Sequence, residues 1–316
     1  MKAGLYRDWR RFGSLKMGFG SACSVLIVFS LILPQDKTNL RPDSQFQLAL
    51  ILKAARQYCQ RLEKAALDFV CQEEVSEFID LTRYNDPNLV RQVPSVDAVL
   101  GGWHSTHRSE LRFDTPAAGK TENTYLFDYQ FIRKAGEVKE NRLLLEKNGK
   151  KSSKKDEPPK MEAFQYADVL LAPVRLLDER FGAYYDFRLL REDELSGMKT
   201  WVVDVIPRLS VVDVYLGGKI WLKQEDSSVL RIDWDASTFG KYESILLRAK
   251  KFESKPDVTS YTEFGFEKNG LRFPSLDQTE EAYVDKDGKK FVRAVTKIVY
   301  KDYKFFTVET ETDFTK

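Results

Sequence analysis

The sequence predicts an α+β fold in which one strongly curved antiparallel β-sheet, a half-barrel of about eleven strands, is covered by helices. Aromatic residues make up 13% of the 316 residues, and aromatic side chains favour half-buried strands. Between residues 67 and 313 the strand-like segments come as consecutive hairpins and do not alternate with helices, which indicates antiparallel pairing. A sheet with so many strands accumulates twist, so we expect it to curl.

The composition excludes several classes of protein. The chain has 50 lysines and arginines against 48 acids, so it lacks the surplus of cations with which a nucleic-acid binder meets phosphates. Two histidines and three cysteines are too few for a cysteine-rich zinc scaffold. We therefore predict no nucleic-acid partner, no metal and no cofactor.

Residues 1–34 have the pattern of an export signal or an N-terminal membrane anchor. Five basic residues and one acid lie between residues 2 and 16, and an uncharged run follows over residues 17–33. The cations remain in the cytoplasm, so the rest of the chain is expected in the periplasm. Because the run has about the minimum length for a spanning helix, both cleavage and a tether to the inner membrane through residues 17–33 stay open.

A polar linker over residues 35–43 precedes the single domain that we predict over residues 44–316. Ser44 and Gln47 form a capping box, which marks the start of a helix. Apolar residues then recur at gaps of three and four, which predicts a helix over residues 45–65 with one buried face. These residues are Leu48, Ile51, Ala55, Tyr58, Leu62 and Ala65.

From Leu67 the apolar pattern changes to a period of two, which predicts the first strand, and residues 80–103 follow as a long loop. In an oxidising compartment Cys59 and Cys71 can form a disulfide if the helix ends between them and the chain turns back. In a continuous helix they would stand about 18 Å apart and could not bond. We predict the disulfide; two buried free thiols are the alternative.

Alternation is clearest in the middle of the chain, where apolar residues of successive strands are expected to share the concave face. The candidates are Trp201, Val203, Val205, Ile220, Leu222, Leu230, Ile232 and Trp234. Further on, Asn269-Gly270 and Asp287-Gly288 are strong signals for hairpin turns. The eight apolar residues either wall a cavity or fill a core.

The sequence contains no nucleophile elbow, no Walker loop and no metalloprotease helix. His104 and His107 would point to opposite faces of a strand, and neither has an obvious nucleophile beside it. Asp233 and Asp235 alternate with a tryptophan, which is typical of a solvated strand face. We therefore predict that the protein is not an enzyme.

The pattern over residues 199–245 resembles the periplasmic outer-membrane lipoprotein-sorting superfamily, the Lol-type carriers. The matching features are a strand ending at Pro207, the dipeptide Ile220-Trp221, residues 230–235, Gly240 and a later hairpin over residues 264–274. The resemblance implies a curved half-barrel with a helical lid over an apolar cavity that shields acyl chains. The eight candidates above would then line that cavity.

The resemblance implies non-catalytic binding of acyl chains or lipoproteins, for lipid or lipoprotein trafficking to the outer membrane. The expected partners are those acyl chains and a membrane-associated donor or acceptor protein. The alternative is an envelope sensor or interaction protein, related to the periplasmic anti-sigma-factor regulators that share the fold.

Overall fold

The structure is a computed structural model that describes residues 42–82, 119–134, 137–153, 159, 161–164, 166, 168–208, 215–240 and 242–306. The predicted export segment, His104, His107 and most of the predicted loop over residues 80–103 lie outside the described residues. Within the described part of the chain, no helix is both long enough and apolar enough to cross a membrane.

Three α-helices, three short 3-10 helices and thirteen strands make up the regular structure of the described residues. The helices are α1 (Pro42–Ala65), α2 (Ala172–Leu177) and α3 (Tyr242–Lys251). The first strands are β1 (Phe69–Asp80), β2 (Lys120–Lys134), β3 (Glu137–Lys147), β4 (Lys150–Lys151), β5 (Tyr185–Leu195), β6 (Met198–Pro207) and β7 (Gly218–Lys223). The others are β8 (Val229–Trp234), β9 (Lys255–Glu263), β10 (Phe266–Lys268), β11 (Leu271–Phe273), β12 (Leu276–Val284) and β13 (Lys290–Phe305).

Eleven strands form one open antiparallel sheet in the order β4-β3-β2-β1-β13-β12-β9-β8-β7-β6-β5, and β10 pairs with β11 as a separate hairpin. Laid flat, β2 and β5 would stand roughly 38 Å apart, since about eight spacings of 4.8 Å separate them. One core nevertheless includes Phe127 of β2 and Tyr185 of β5, because the sheet is curved. The predicted fold class is confirmed.

The helices cover one face of the sheet, which we call the concave face and define by Val75, Ile298, Ile220 and Val203. Helix α1 buries a stripe of apolar residues at gaps of three and four, as its sequence predicts, and packs with α2 against this face. The fully buried Tyr58 hydroxyl donates to the Arg272 carbonyl in β11, 3.3 Å away.

Helix α3 also lies on the concave face, and the sequence analysis did not predict it. Glu281 sits four residues beyond Asp277, which pairs with Ile298, so Glu281 points to the same face. Arg248 of α3 donates to Glu281 over 2.9 Å. Only Ile245 and Ala249 of this ten-residue helix are buried, which leaves little periodicity to detect.

Both predicted hairpin turns are present. Asn269 and Gly270 join β10 to β11 with φ values of 54° and 70°, the left-handed backbone that a two-residue hairpin needs. Gly288, with φ of 78°, lies in the turn between β12 and β13.

The predicted disulfide is absent, since Cys59 and Cys71 are both free and buried. The sulfur of Cys59, on α1, faces α2 and lies 3.5 Å from the carbonyl oxygen of Pro173. Cys71, on β1, lies beside Tyr303 of β13. Burial raises the pKa of both thiols, that of Cys71 to about 12. The chain does turn back between the two cysteines, but each one packs against a different neighbour.

Candidate ligand-binding cleft

Seven of the eight candidate wall residues lie in or against the core beneath the helices. Five of them, Val203, Val205, Ile220, Leu222 and Ile232, are at most 1% exposed. Trp201 and Trp234 are partly buried and pack against the same core. These seven residues fill the core, which is one of the two alternatives that the sequence left open.

Leu230 lies on the opposite, convex face, where it packs with Val202 and Trp221. A β-bulge causes this placement: Arg231 pairs with Trp221 and Val229 with Leu222, which leaves Leu230 without a partner on β7. Its expected place on the concave face is therefore wrong, because the extra residue shifts the alternation.

The centre of the concave face is polar and is covered by the chain itself. Glu77 of β1 is 1% exposed and accepts the backbone N–H groups of Glu162 and Ala163 over 2.8 to 3.1 Å. Phe164, the next residue, packs with the α3 cluster. The short segment over residues 161–164 thus fills the space above Glu77.

A second buried carboxylate, Glu73, is held by Arg142. The guanidinium donates to both Glu73 oxygens, over 2.6 and 3.0 Å, and also donates to Glu140. The Arg142 guanidinium carbon stands 4.9 Å from the ring centroid of Tyr129 and 5.0 Å from that of Tyr166. Burial raises the pKa of Glu73, and the hydrogen bonds from Arg142 act against this rise.

A third carboxyl group, that of Asp277, is half-buried and has no cationic partner among the described residues. It accepts a hydrogen bond from the Thr262 hydroxyl, which itself accepts one from the indole of Trp234. Burial raises the pKa of Asp277 to about 6. Asp277 and the two glutamates are spread over three places on the sheet, and no cluster suited to a metal ion occurs among the described residues.

A cleft of about 630 Å³ opens at the end of α1, away from the eight candidate residues. The end of α1, the β10–β11 hairpin and the end of β13 form its walls. Its lining consists of Ala65, Asp68, Lys268, Asn269, Leu271, Phe273, Tyr303, Phe305 and Phe306. The volume falls within the range of roughly 300 to 1,000 Å³ that is usual for small-molecule sites.

Aromatic rings form the floor and one wall of the cleft. The Phe273 ring centroid lies 5.7 Å from that of Tyr303 and 5.2 Å from that of Phe305. Phe266, behind them, stacks on Tyr303 at 4.5 Å. Phe273 is 1% exposed, whereas Phe306 at the rim is 55% exposed, so the surface leads from solvent to core.

Sequence reasoning missed this cleft, although part of its signal was visible. The Asn269-Gly270 turn predicted the hairpin that carries Leu271 and Phe273. The alternation of Tyr303 and Phe305 indicates that both side chains share one face. What the sequence could not show is that these two segments meet beside the end of α1.

No family model and no curated protein sequence matches this chain. Among solved structures, an outer membrane lipoprotein-sorting protein domain from Vibrio parahaemolyticus aligns with a TM-score of 0.40 and 13% identity, covering 83% of this chain and 95% of that one. A DUF1329 family protein from Desulfovibrio piger aligns with a TM-score of 0.36 and 10% identity over 84% and 97% of the two chains. A LolA superfamily protein from Nitrosomonas europaea aligns with a TM-score of 0.33 and 12% identity, covering 85% of this chain and 97% of that one.

Two of these three proteins carry the name of the superfamily that the sequence resembles. The superpositions extend over most of each chain but are loose, and they transfer neither a ligand nor a partner to this protein.

Proposed function

We propose that this protein is an exported, non-catalytic binding protein that holds an acyl chain, free or on a lipoprotein, in the aromatic cleft. In this proposal residues 1–34 direct export to the periplasm, and the bound chain is in transit toward the outer membrane. A membrane-associated protein donates or accepts it. The observation that carries the proposal is the cleft itself, with its aromatic floor open to solvent at Phe306.

The physical basis is the hydrophobic effect. Each methylene group that leaves water is stabilised by about 0.8 kcal/mol, so a cleft lined by rings retains an acyl chain without specific polar contacts. Leu271, Tyr303 and Phe305 are all partly buried, and each offers carbon surface to a ligand. Because no chemical step is needed, the proposal requires no catalytic residue.

The test is displacement of a fluorescent fatty-acid probe, together with mass spectrometry of lipids that co-purify with the protein. Phe306→Glu places a charge at the mouth of the cleft and is expected to weaken probe binding about tenfold. Leu247→Glu on α3 is the matched control, since Leu247 is 62% exposed and does not line the cleft. If Phe306→Glu binds the probe as tightly as the wild-type protein does, the cleft is not the acyl-binding site.

The second candidate is an envelope sensor or interaction protein. Two observations favour it: the concave face is filled, and Phe46 and Leu50, one turn apart on α1, are 69% and 52% exposed. Folded wild-type protein that binds no probe and carries no lipid would support this candidate over the first.

A further inference from the structure

The polar rim of the cleft carries one negative and one positive side chain. Asp68 lies just past the end of α1, and Lys268 lies at the end of β10. Both side chains are exposed and both line the cleft. The carboxylate and the ammonium are too far apart to form an ion pair with each other, and neither pairs with another described residue.

The wall beside Asp68 is negative for a second reason. The 24 residues of α1 end there, and the carbonyl end of a helix carries roughly half a negative charge. Lys64 in the last turn opposes this charge in part, but it does not line the cleft. This wall therefore favours a cationic group.

The opposite wall favours an anionic group. The neighbouring acid, Glu267, is engaged by Arg272 over 2.6 Å, which leaves the ammonium of Lys268 available to a ligand. The Asn269-Gly270 turn fixes the backbone beside Lys268, so this residue lies at the end of the hairpin, where it lines the cleft.

We propose that the cleft selects an acyl amphiphile with a zwitterionic phosphoethanolamine-type head, a selection that rests on the proposed function of the cleft as an acyl site. The ammonium of the head lies toward Asp68 and the end of α1, its phosphate lies toward Lys268, and the acyl chain lies along Leu271, Tyr303 and Phe305. A purely anionic head leaves Asp68 unpaired and repelled, and a purely cationic head does the same to Lys268. Only a head with both charges complements both walls.

The experiment compares three palmitoyl probes on the full chain, below their micelle concentrations: lysophosphatidylethanolamine, lysophosphatidylglycerol and monopalmitoylglycerol. The dissociation constant of each comes from displacement of the fluorescent fatty acid. Lysophosphatidylethanolamine is expected to bind about fivefold more tightly than lysophosphatidylglycerol, because exposed charge pairs contribute modestly. Asp68→Asn should remove that difference, and Lys268→Gln should weaken both phosphate-containing probes while leaving monopalmitoylglycerol unchanged.

The outcomes separate this inference from the proposed function. Equal affinity for all three probes would overturn the zwitterionic selection and leave acyl binding in place. Tighter binding of the anionic lipid by wild-type protein would also overturn it. If none of the probes binds to folded protein, the cleft is not an acyl site, and the proposed function fails as well.

Discussion

Replacement of Arg142 by methionine should be among the most damaging single substitutions in the described part of the chain. Glu73 is 0% exposed, and Arg142 supplies both of its charge-assisted hydrogen bonds. Without the guanidinium, the Tyr300 hydroxyl, 3.0 Å away, still donates to this carboxylate, but no cation among the described residues pairs with it. Removing one partner of a buried ion pair typically costs about 3 to 5 kcal/mol of unfolding free energy.

The loss of stability in Arg142→Met should depend on pH, and the burial of Glu73 determines the direction of this dependence. In Arg142→Met, burial raises the pKa of Glu73 with no opposing guanidinium, so its folded-state pKa lies above its unfolded value. Such a group contributes stability below the unfolded pKa, and that contribution is lost as the pH rises through the folded pKa. The variant should therefore be destabilised more at pH 8 than at pH 5.

Urea unfolding followed by tryptophan fluorescence at both pH values measures this effect. The double variant with Glu73→Gln should recover part of the lost stability, since it removes the unpaired charge. Arg191→Met is the control, because Arg191 is exposed and its ion pair with Asp193 lies near the surface, where such pairs contribute little to stability. A loss below 1 kcal/mol at pH 8, or one that does not change with pH, would refute this account of the network.

Three further substitutions or measurements test the fold. Asp277, with its pKa raised to about 6, should reduce wild-type stability by about 2 kcal/mol as the pH rises from 4 to 7, and Asp277→Asn should abolish that fall in urea titrations. Cys59 and Cys71 should both react with a thiol reagent after denaturation without reductant; recovery of a linked peptide pair would contradict the structure. Gly218→Ala should lower the free energy of unfolding by about 1 to 3 kcal/mol in thermal unfolding, because the added Cβ would lie 2.3 Å from a carbonyl oxygen of β8. Gly240→Ala is the control and should change stability little, because the space around Gly240 is open.

The features that the sequence predicted well are local ones. The apolar period places α1 close to its observed bounds, although the helix begins at Pro42 and so includes Ser44, which the sequence predicted as its cap. The Asn269-Gly270 turn places a hairpin. These features depend on residues a few positions apart, whose side chains or backbone angles decide the structure by themselves.

The features that the sequence did not predict depend on distant partners. Glu73 and Arg142 are 69 positions apart, so the sequence of the strand that carries the buried Glu73 does not indicate which basic residue pairs with it. The bulge at Leu230 changes the face of one residue without changing the residues around it. The cleft needs three segments to meet, and no single segment carries a pattern for it.

The pairing of β1 with β13 has a consequence for the order of events during folding. These strands lie side by side at the middle of the sheet, yet Glu74 and its partner Lys301 are separated by 227 positions. Contacts of such long range form late in folding, since the loop between them must close first. A chain in which β13 has not yet paired with β1 lacks Tyr303 and Phe305 at the cleft. The cleft is therefore complete only after this long-range pairing has formed.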